Sequence, residues 1–298
     1  MDVPLTVGFI ERAALGRNHR LITAGSIVAY FNRIVNSCAY SEPNMGVSSE
    51  YVQSLERGLA VMQVFSREHP RMTLSEVARL TGLTRATARR VLLTLQHLGY
   101  ARSDGRGFEL TPKVLDLGYA YLSSLDLASI AEPGMEELVE RTHESCSAAV
   151  LDGPEIVYIA RVPTKRIMTI SLGLGSRLPA YATSMGRVLL ADLGRDEVDE
   201  LIGPGPLPAI TERTITKPAD LHNELARVRR QGWALVDQEL EAGLRSIGAP
   251  LRDRHGRALA ALNVSTHVGR VSLDAIRKDF LPALLATARQ ISERLARR

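Results

Sequence analysis

Arg89 and Arg90 carry the first chemistry legible in this chain. They sit within residues 84–98, where Ala88, Val91, Leu92, Leu95 and Leu98 recur at helical spacing and form one apolar face. Ala86 and His97 lie beside the two arginines on the opposite face, with Arg85 at its edge and no acidic residue between Thr84 and Leu98. A helix that is cationic outside and apolar inside suits the major groove of DNA, where arginine reads guanine edges or grips phosphates. Taken alone, the same pattern reads equally well as a solvated helix face.

The neighbouring segments decide between those readings. Residues 74–81 predict a short helix whose small residue Ala78 allows close approach of a second helix. Gly82 stands where the turn needs a positive φ. Thr84 is placed to cap the second helix. Residues 99–110 form two strand-like runs around Asp104-Gly105, a hairpin pair, with Arg102 and Arg106 flanking the tip. Helix, turn, helix and basic-tipped hairpin together predict a winged helix-turn-helix, which is more specific than any of its parts. The candidate DNA contacts are Arg57, Thr84, Arg85, Ala86, Thr87, Arg89, Arg90, Arg102 and Arg106.

A second chemistry lies in the C-terminal half. The run Tyr181-Ala-Thr-Ser-Met-Gly186 leads into a helix predicted over 182–193. The free N–H groups at such a start can hold a carboxylate. Arg161 ends a predicted strand and can pair with a second carboxylate, or stand as a surface charge. Asn263 and Ser265 alternate with Leu262 and Val264, so both face one side of a strand, either a ligand or water.

Composition sets the frame. At 298 residues the chain allows two domains, and its residue usage is that of an ordinary globular protein. A net charge of +4 favours a nucleic-acid partner only weakly. No apolar run is long enough to span a bilayer as a helix. Cys38 and Cys146 lie far apart and in no metal-ligand spacing, which fits a reducing cytoplasm. There is no Gly-rich phosphate loop, no G-x-S-x-G elbow and no paired-histidine motif, so neither metal nor cofactor is expected.

The first 44 residues stand apart. The apolar tract 21–31 follows Arg12, Arg17 and Arg20 but lacks a small-residue cleavage site. It reads as a signal peptide, as an N-terminal arm, or as the product of a start codon assigned upstream of Met45; the last reading is preferred because the tract has no helical or strand period. A chain beginning at Met45 is then expected to fold, dimerise and bind DNA like the full-length protein. Loss of solubility or DNA binding on that truncation would establish a structural arm.

Further elements follow from pattern. Residues 51–66 predict a helix with an inner stripe of Leu55, Leu59 and Met62 and with Arg57 facing out. Thr111-Pro112 is a cap and first position for a helix over 112–125, apolar enough to pack on a symmetric partner. Helices are expected at 135–144, 182–193, 221–231 and 275–294. Strands are expected at 147–152, 155–161, 167–172, 233–237, 246–251 and 257–266. Antiparallel hairpins with helices set against them make an α+β domain.

The two halves resemble the IclR family of bacterial transcription regulators. The likeness runs from about Val52 to the C-terminus through Ser54-Leu-Glu-Arg-Gly-Leu59, the helix-turn-helix, the segment 176–191, Glu241-Ala-Gly-Leu-Arg-Ser-Ile-Gly-Ala-Pro-Leu251 and Ala261-Leu-Asn-Val-Ser-Thr266. Arg161-Val-Pro-Thr and Leu178-Pro-Ala-Tyr-Ala-Thr-Ser-Met-Gly resemble most the members that control protocatechuate, hydroxybenzoate or β-ketoadipate genes. The resemblance implies a GAF-like effector-binding domain, double-stranded operator DNA, a small aromatic or dicarboxylic acid effector, a dimer through the DNA-binding half and often a tetramer through the effector half. It places effector contacts at Arg161, Tyr181, Ser184, Met185, Asp237, Ser246, Asn263 and Ser265, with Ser184 and Met185 acting mainly through backbone. Ser246 stands where the family often has Cys, and Asn263 where it often has Ser. The implied organisation is an extension over 1–48, a DNA-binding domain over 49–111, a linker helix over 112–127 and an effector domain over 128–298. Two other functions compete: a hydrolase using Ser184 or Ser246, for which no histidine is placed as base, and a DNA-binding architectural protein without a ligand.

Overall fold

The computed structural model describes residues 51–66, 68–125, 127–164 and 172–297. The first helix, α1 (Gln53–Gln63), buries Val61, and of the expected stripe Met62 alone packs, half-buried, against the cluster that Val61 joins. Val61 packs into a cluster with Met72, Val77, Ala88, Leu92 and Leu95. Leu55 and Leu59 instead remain 62% and 43% exposed, beside exposed Tyr51 and Val52. The apolar periodicity was real, but its two leucines mark a face left open within this chain.

Helix α2 (Leu74–Thr81) begins in a reciprocal cap. Thr73 accepts from the Glu76 N–H while the Glu76 carboxylate accepts from the Thr73 N–H at 2.7 Å. Gly82 closes it at φ 66°, in the left-handed region that glycine enters without cost. Helix α3 (Arg85–His97) is capped by Thr84, whose hydroxyl accepts from the Thr87 N–H. Ala88, Leu92 and Leu95 are buried as expected, whereas Leu98, at the C-cap, is 49% exposed because the chain turns away there.

The hairpin pairs β1 (Ala101–Ser103) with β2 (Phe108–Leu110) in antiparallel register. Met72 adds a bridge to Phe108. At the tip the Asp104 carboxylate accepts from the N–H groups of Arg106 and Gly107 and pairs with Arg71. Those contacts, the Arg106 N–H foremost, hold its carboxyl down to about 2. A single 3-10 turn (Pro112–Val114) then precedes α4 (Leu115–Leu125). Thr111 does not cap it; its hydroxyl donates to the Gly99 carbonyl instead.

The C-terminal half is built on a six-stranded antiparallel sheet. Helix α5 (Leu127–Thr142) starts well before the expected residue 135, because it accommodates Pro133 in its interior. Strands β3 (Ser145–Asp152) and β4 (Glu155–Val162) follow, and then the short β5 (Arg177–Pro179). The strand expected at 167–172 falls largely outside the described residues. A 3-10 turn (Ala180–Ala182) leads into α6 (Ser184–Leu190), shorter than expected at both ends. Helix α7 (Arg195–Ile202) was not foreseen, and α8 (Pro218–Gln231) was. Strands β6 (Ala234–Asp237), β7 (Leu244–Arg252) and β8 (Ala258–His267) complete the sheet in the order β5-β4-β3-β8-β7-β6. A π-turn (Ile276–Phe280) precedes the closing helix α9 (Leu281–Ala296).

The sheet has two distinct faces. Cys146, Ala148, Ile247, Ala249, Leu262 and Val264 pack against α5 and α9 in the main core. Helix α6 packs against β7 and β8. Gly248 on β7 allows that approach, and Gly186 lets α6 close against the preceding 3-10 turn. A Cβ on Gly186 would lie 2.2 Å from the Ala180 carbonyl oxygen, and one on Gly248 would lie 2.8 Å from the Ser184 backbone. A bulge separates the two faces of β4: Ala148 pairs with Ala160 and Ala149 with Tyr158, leaving Ile159 unpaired. Ile159 and Ala160 therefore both join the core on the helix side. Tyr158 and Arg161, three residues apart, come to share the other face.

Candidate DNA interface and ligand pocket

The outer face of α3 carries Arg85, Ala86, Arg89, Arg90 and His97, all exposed. Leu93 lies among them at 40% exposure, an apolar group on that face that the sequence pattern does not single out. The guanidinium groups of Arg85, Arg89 and Arg90 pair with no acid among the described residues. Thr84 is exposed and Thr87 half-buried, their hydroxyls 2.9 Å apart at the start of the helix. Arg57 is half-buried on α1. On the wing Arg106 is exposed with no ion pair to a described residue, whereas Arg102 lies across from Glu109 and donates to it at 2.6 Å.

The second site is a cavity of about 510 Å³, open space at its mouth included. Of the expected contacts, Arg161, Ser184, Ser246, Asn263 and Ser265 line it. They arrive from four elements. Arg161 comes from β4, Ser184 from the start of α6, Ser246 from β7, and Asn263 with Ser265 from β8. Register makes Ser246 and Ser265 direct cross-strand partners.

These side chains form one connected cluster. The Ser184 and Ser246 hydroxyls lie 2.6 Å apart. The Asn263 amide donates to Ser246 at 3.1 Å and to Ser265 at 3.0 Å. Its carbonyl oxygen accepts from the Ser147 N–H at 3.1 Å, tying the cluster to β3. Arg161 donates to the Ser147 hydroxyl at 3.4 Å. Such a buried polar cluster inside an otherwise apolar domain is high-stakes, because each member needs a partner.

Three expected contacts lie elsewhere. The Tyr181 hydroxyl donates to the Pro208 carbonyl at 2.7 Å. Met185 is 1% exposed and does not line the cavity. Asp237 is bound two-pronged by Arg245, at 2.9 and 3.1 Å, across the β6–β7 register; its neighbour Val236 lines the cavity instead. Arg245 and the more distant Arg213 hold the Asp237 carboxyl down against the opposing effect of its partial burial, which is the larger single influence. At the helix start the Thr183 hydroxyl already accepts from the Gly186 N–H, which leaves the N–H groups of Ser184 and Met185.

Sequence reasoning missed Tyr158 and Glu241, both on the cavity lining. Tyr158 is 5% exposed, and burial pushes its phenol up to about 12, with Arg161 pulling the other way. Burial also raises the Glu241 carboxyl, opposed by His267. No histidine is among the described residues that line the cavity, so none of these offers the serine hydroxyls an imidazole base.

Beneath the cavity, Arg187 on α6 is 1% exposed. It pairs with Glu239 through both terminal guanidinium nitrogens, at 2.7 Å for the Nη1–Oε1 contact, and its Nε donates to the Tyr181 carbonyl at 2.8 Å. The pair joins α6 to the segment that carries Leu240 and Glu241.

No described residues group as a metal site, and no described helix is long and apolar enough to cross a membrane.

Residues 54–105 match the IclR helix-turn-helix domain, and residues 119–293 match the bacterial transcriptional regulator IclR C-terminal domain. The chain is 48% identical over 247 residues to the Pca regulon regulatory protein of Pseudomonas putida, covering 83% of this chain and 85% of that one. A putative transcriptional regulator from Rhodococcus is similar in structure, with TM-score 0.75 and 53% identity over 82% of this chain and 98% of its own. An IclR homologue from Microbacterium hydrocarbonoxydans, solved in complex with 4-hydroxybenzoate, gives TM-score 0.73 and 26% identity over 81% of this chain and 98% of its own. The helix-turn-helix with its basic face, the α+β domain with its polar cavity and these matches lead to one conclusion: the chain belongs to the IclR family of bacterial transcriptional regulators, and it is a DNA-binding regulator rather than an enzyme.

Proposed function

We propose that this regulator controls genes of aromatic-acid breakdown and that its effector is a small aromatic acid bound in the cavity between α6 and the sheet. The observation that carries this reading is the joining of Ser184, Ser246, Asn263 and Ser265 into one hydrogen-bonded cluster within a single cavity that Arg161 also lines. Arg161 supplies the positive charge for a carboxylate, and Ser184 with the N–H groups at the start of α6 supplies donors. The names of the Pseudomonas relative and of the Microbacterium complex support the aromatic-acid assignment.

DNA recognition rests on α3 in the major groove, with Arg106 on the wing against the backbone. The chain acts as a homodimer, a reading supported by the apolar residues left open on α1 and α4: Leu55, Leu59, Leu115, Leu117 and Tyr119 are all at least 43% exposed. It works in the cytoplasm, where operator DNA is.

Calorimetry on the full-length protein tests the pocket. 4-Hydroxybenzoate and 3,4-dihydroxybenzoate should bind, and Ser265→Ala should weaken them about tenfold or more, since a buried hydrogen bond to a charged group contributes roughly 1.5–3 kcal/mol. Ligand-free DNA binding should stay near normal. Asn263→Ala should weaken them too, but it also removes the acceptor of the Ser147 N–H, so Ser265→Ala is the cleaner test. Wild-type affinity in both variants would place the effector elsewhere.

A further inference from the structure

The cavity's polar groups divide into two sets. Ser184, Ser246, Asn263 and Ser265 are already bonded to one another. Tyr158 and Glu241 are not: among the described residues the phenol hydroxyl has no hydrogen-bond partner, and the Glu241 carboxylate has neither a hydrogen bond nor an ion pair. Tyr158 is 5% exposed as a whole, yet no buried side-chain polar atom among the described residues lacks a partner, so its hydroxyl opens onto the cavity, where a ligand can meet it. The Ile159 bulge places Tyr158 on this face together with Arg161. Glu241 arrives from the segment between β6 and β7, anchored two residues away by the buried Arg187–Glu239 pair.

Charge adds a second constraint. Arg161 and Glu241 are the cation and the acid of the described lining. One carboxylate on the ligand is matched by Arg161. A second would enter a space that already holds the Glu241 carboxylate, and like charges in a poorly solvated cavity repel strongly. His267, the other titratable group acting on Glu241, is exposed and opposes this only in part. A ring hydroxyl, by contrast, donates to a carboxylate and accepts from a phenol.

We propose that Tyr158 and Glu241 read a hydroxyl on the effector ring and exclude a second carboxylate, so that the effector is a hydroxylated aromatic monocarboxylic acid. This rests on the reading of the cavity as the effector site. It narrows that reading, because dicarboxylic effectors drop out. Both residues act as specificity determinants, since a site built to bond a ligand hydroxyl rejects the analogue without it.

The test is calorimetry on the full-length protein with benzoate, 4-hydroxybenzoate, 3,4-dihydroxybenzoate and terephthalate, at one pH near neutrality. In the wild type the hydroxylated acids should bind at least tenfold tighter than benzoate, and terephthalate weakest. Tyr158→Phe should reduce the preference for the hydroxylated acids over benzoate several-fold. Glu241→Gln should improve terephthalate about tenfold relative to benzoate. If terephthalate binds the wild type as tightly as the hydroxylated acids, or if both variants keep the wild-type ranking, the proposal is overturned while the cavity remains the effector site. If none of the four acids binds, the reading of the cavity fails and this proposal falls with it. The wild-type ranking alone decides the matter should either variant not fold.

Discussion

Glu239→Ala is expected to destabilise the effector domain by about 3–5 kcal/mol, which lowers its melting temperature by on the order of 10 °C. Arg187 is almost fully enclosed, and Glu239 is 8% exposed. The carboxylate meets both terminal nitrogens of the guanidinium and also accepts from the Ile215 N–H at 3.0 Å. Removing it leaves a buried cation with one remaining acceptor, the Tyr181 carbonyl, and a backbone N–H without its partner. The cost comes from leaving one charge behind rather than from the worth of the pair. The double variant Arg187→Met/Glu239→Leu should therefore recover most of the stability. Urea denaturation followed through the effector-domain transition would measure both, with an unchanged slope marking a true stability effect. A double variant as unstable as Glu239→Ala, or a single variant as stable as the wild type, would contradict the assignment of this pair.

The sequence made some of this architecture plain and concealed the rest for physical reasons. Signals confined to a few neighbouring residues were legible. Gly82 and the Thr84 cap bracket the helix-turn-helix, and the alternation at 262–265 puts Asn263 and Ser265 on the lining. Groups that depend on distant pairing were not. Arg187 and Glu239 lie 52 residues apart, and neither belongs to a local motif. Asp237 carries the right chemistry for a ligand contact but faces Arg245 across the strand register, a partner that position alone does not reveal. Tyr158 reads as a core aromatic until one unpaired residue, Ile159, resets the alternation of β4 and brings it beside Arg161. On α1 the period marked Leu55, Leu59 and Met62 as an inner stripe, of which Met62 packs against the core while the two leucines stay exposed. It could not tell that Val61 would be the residue buried in the domain's own core.

The charged face of α3 leads to the second large effect. Replacing both Arg89 and Arg90 by Ala should nearly abolish specific operator binding. Both guanidinium groups are exposed on one side of the helix and lack acidic partners among the described residues, so their charge is available to DNA without first breaking an ion pair. The fixed cap at Thr84 and the buried trio Ala88, Leu92 and Leu95 hold that side outward. Each bidentate contact to a base is worth about 1–3 kcal/mol of discrimination, which gives roughly 2–6 kcal/mol for the pair if both read bases. If one or both grip phosphates instead, binding weakens on every sequence, and the slope of log affinity against log salt becomes shallower by about 0.9 for each phosphate no longer neutralised. Fluorescence anisotropy on promoter DNA and on a scrambled duplex, repeated at several salt concentrations, separates the two cases. Arg195→Ala serves as the control. Arg195 is an exposed arginine on α7, beside Asp199 at 3.8 Å, and its removal should leave DNA affinity unchanged. Binding by the double variant that matches the wild type at every salt would remove α3 from the groove and leave the wing and Arg57 on α1 as the candidate contacts.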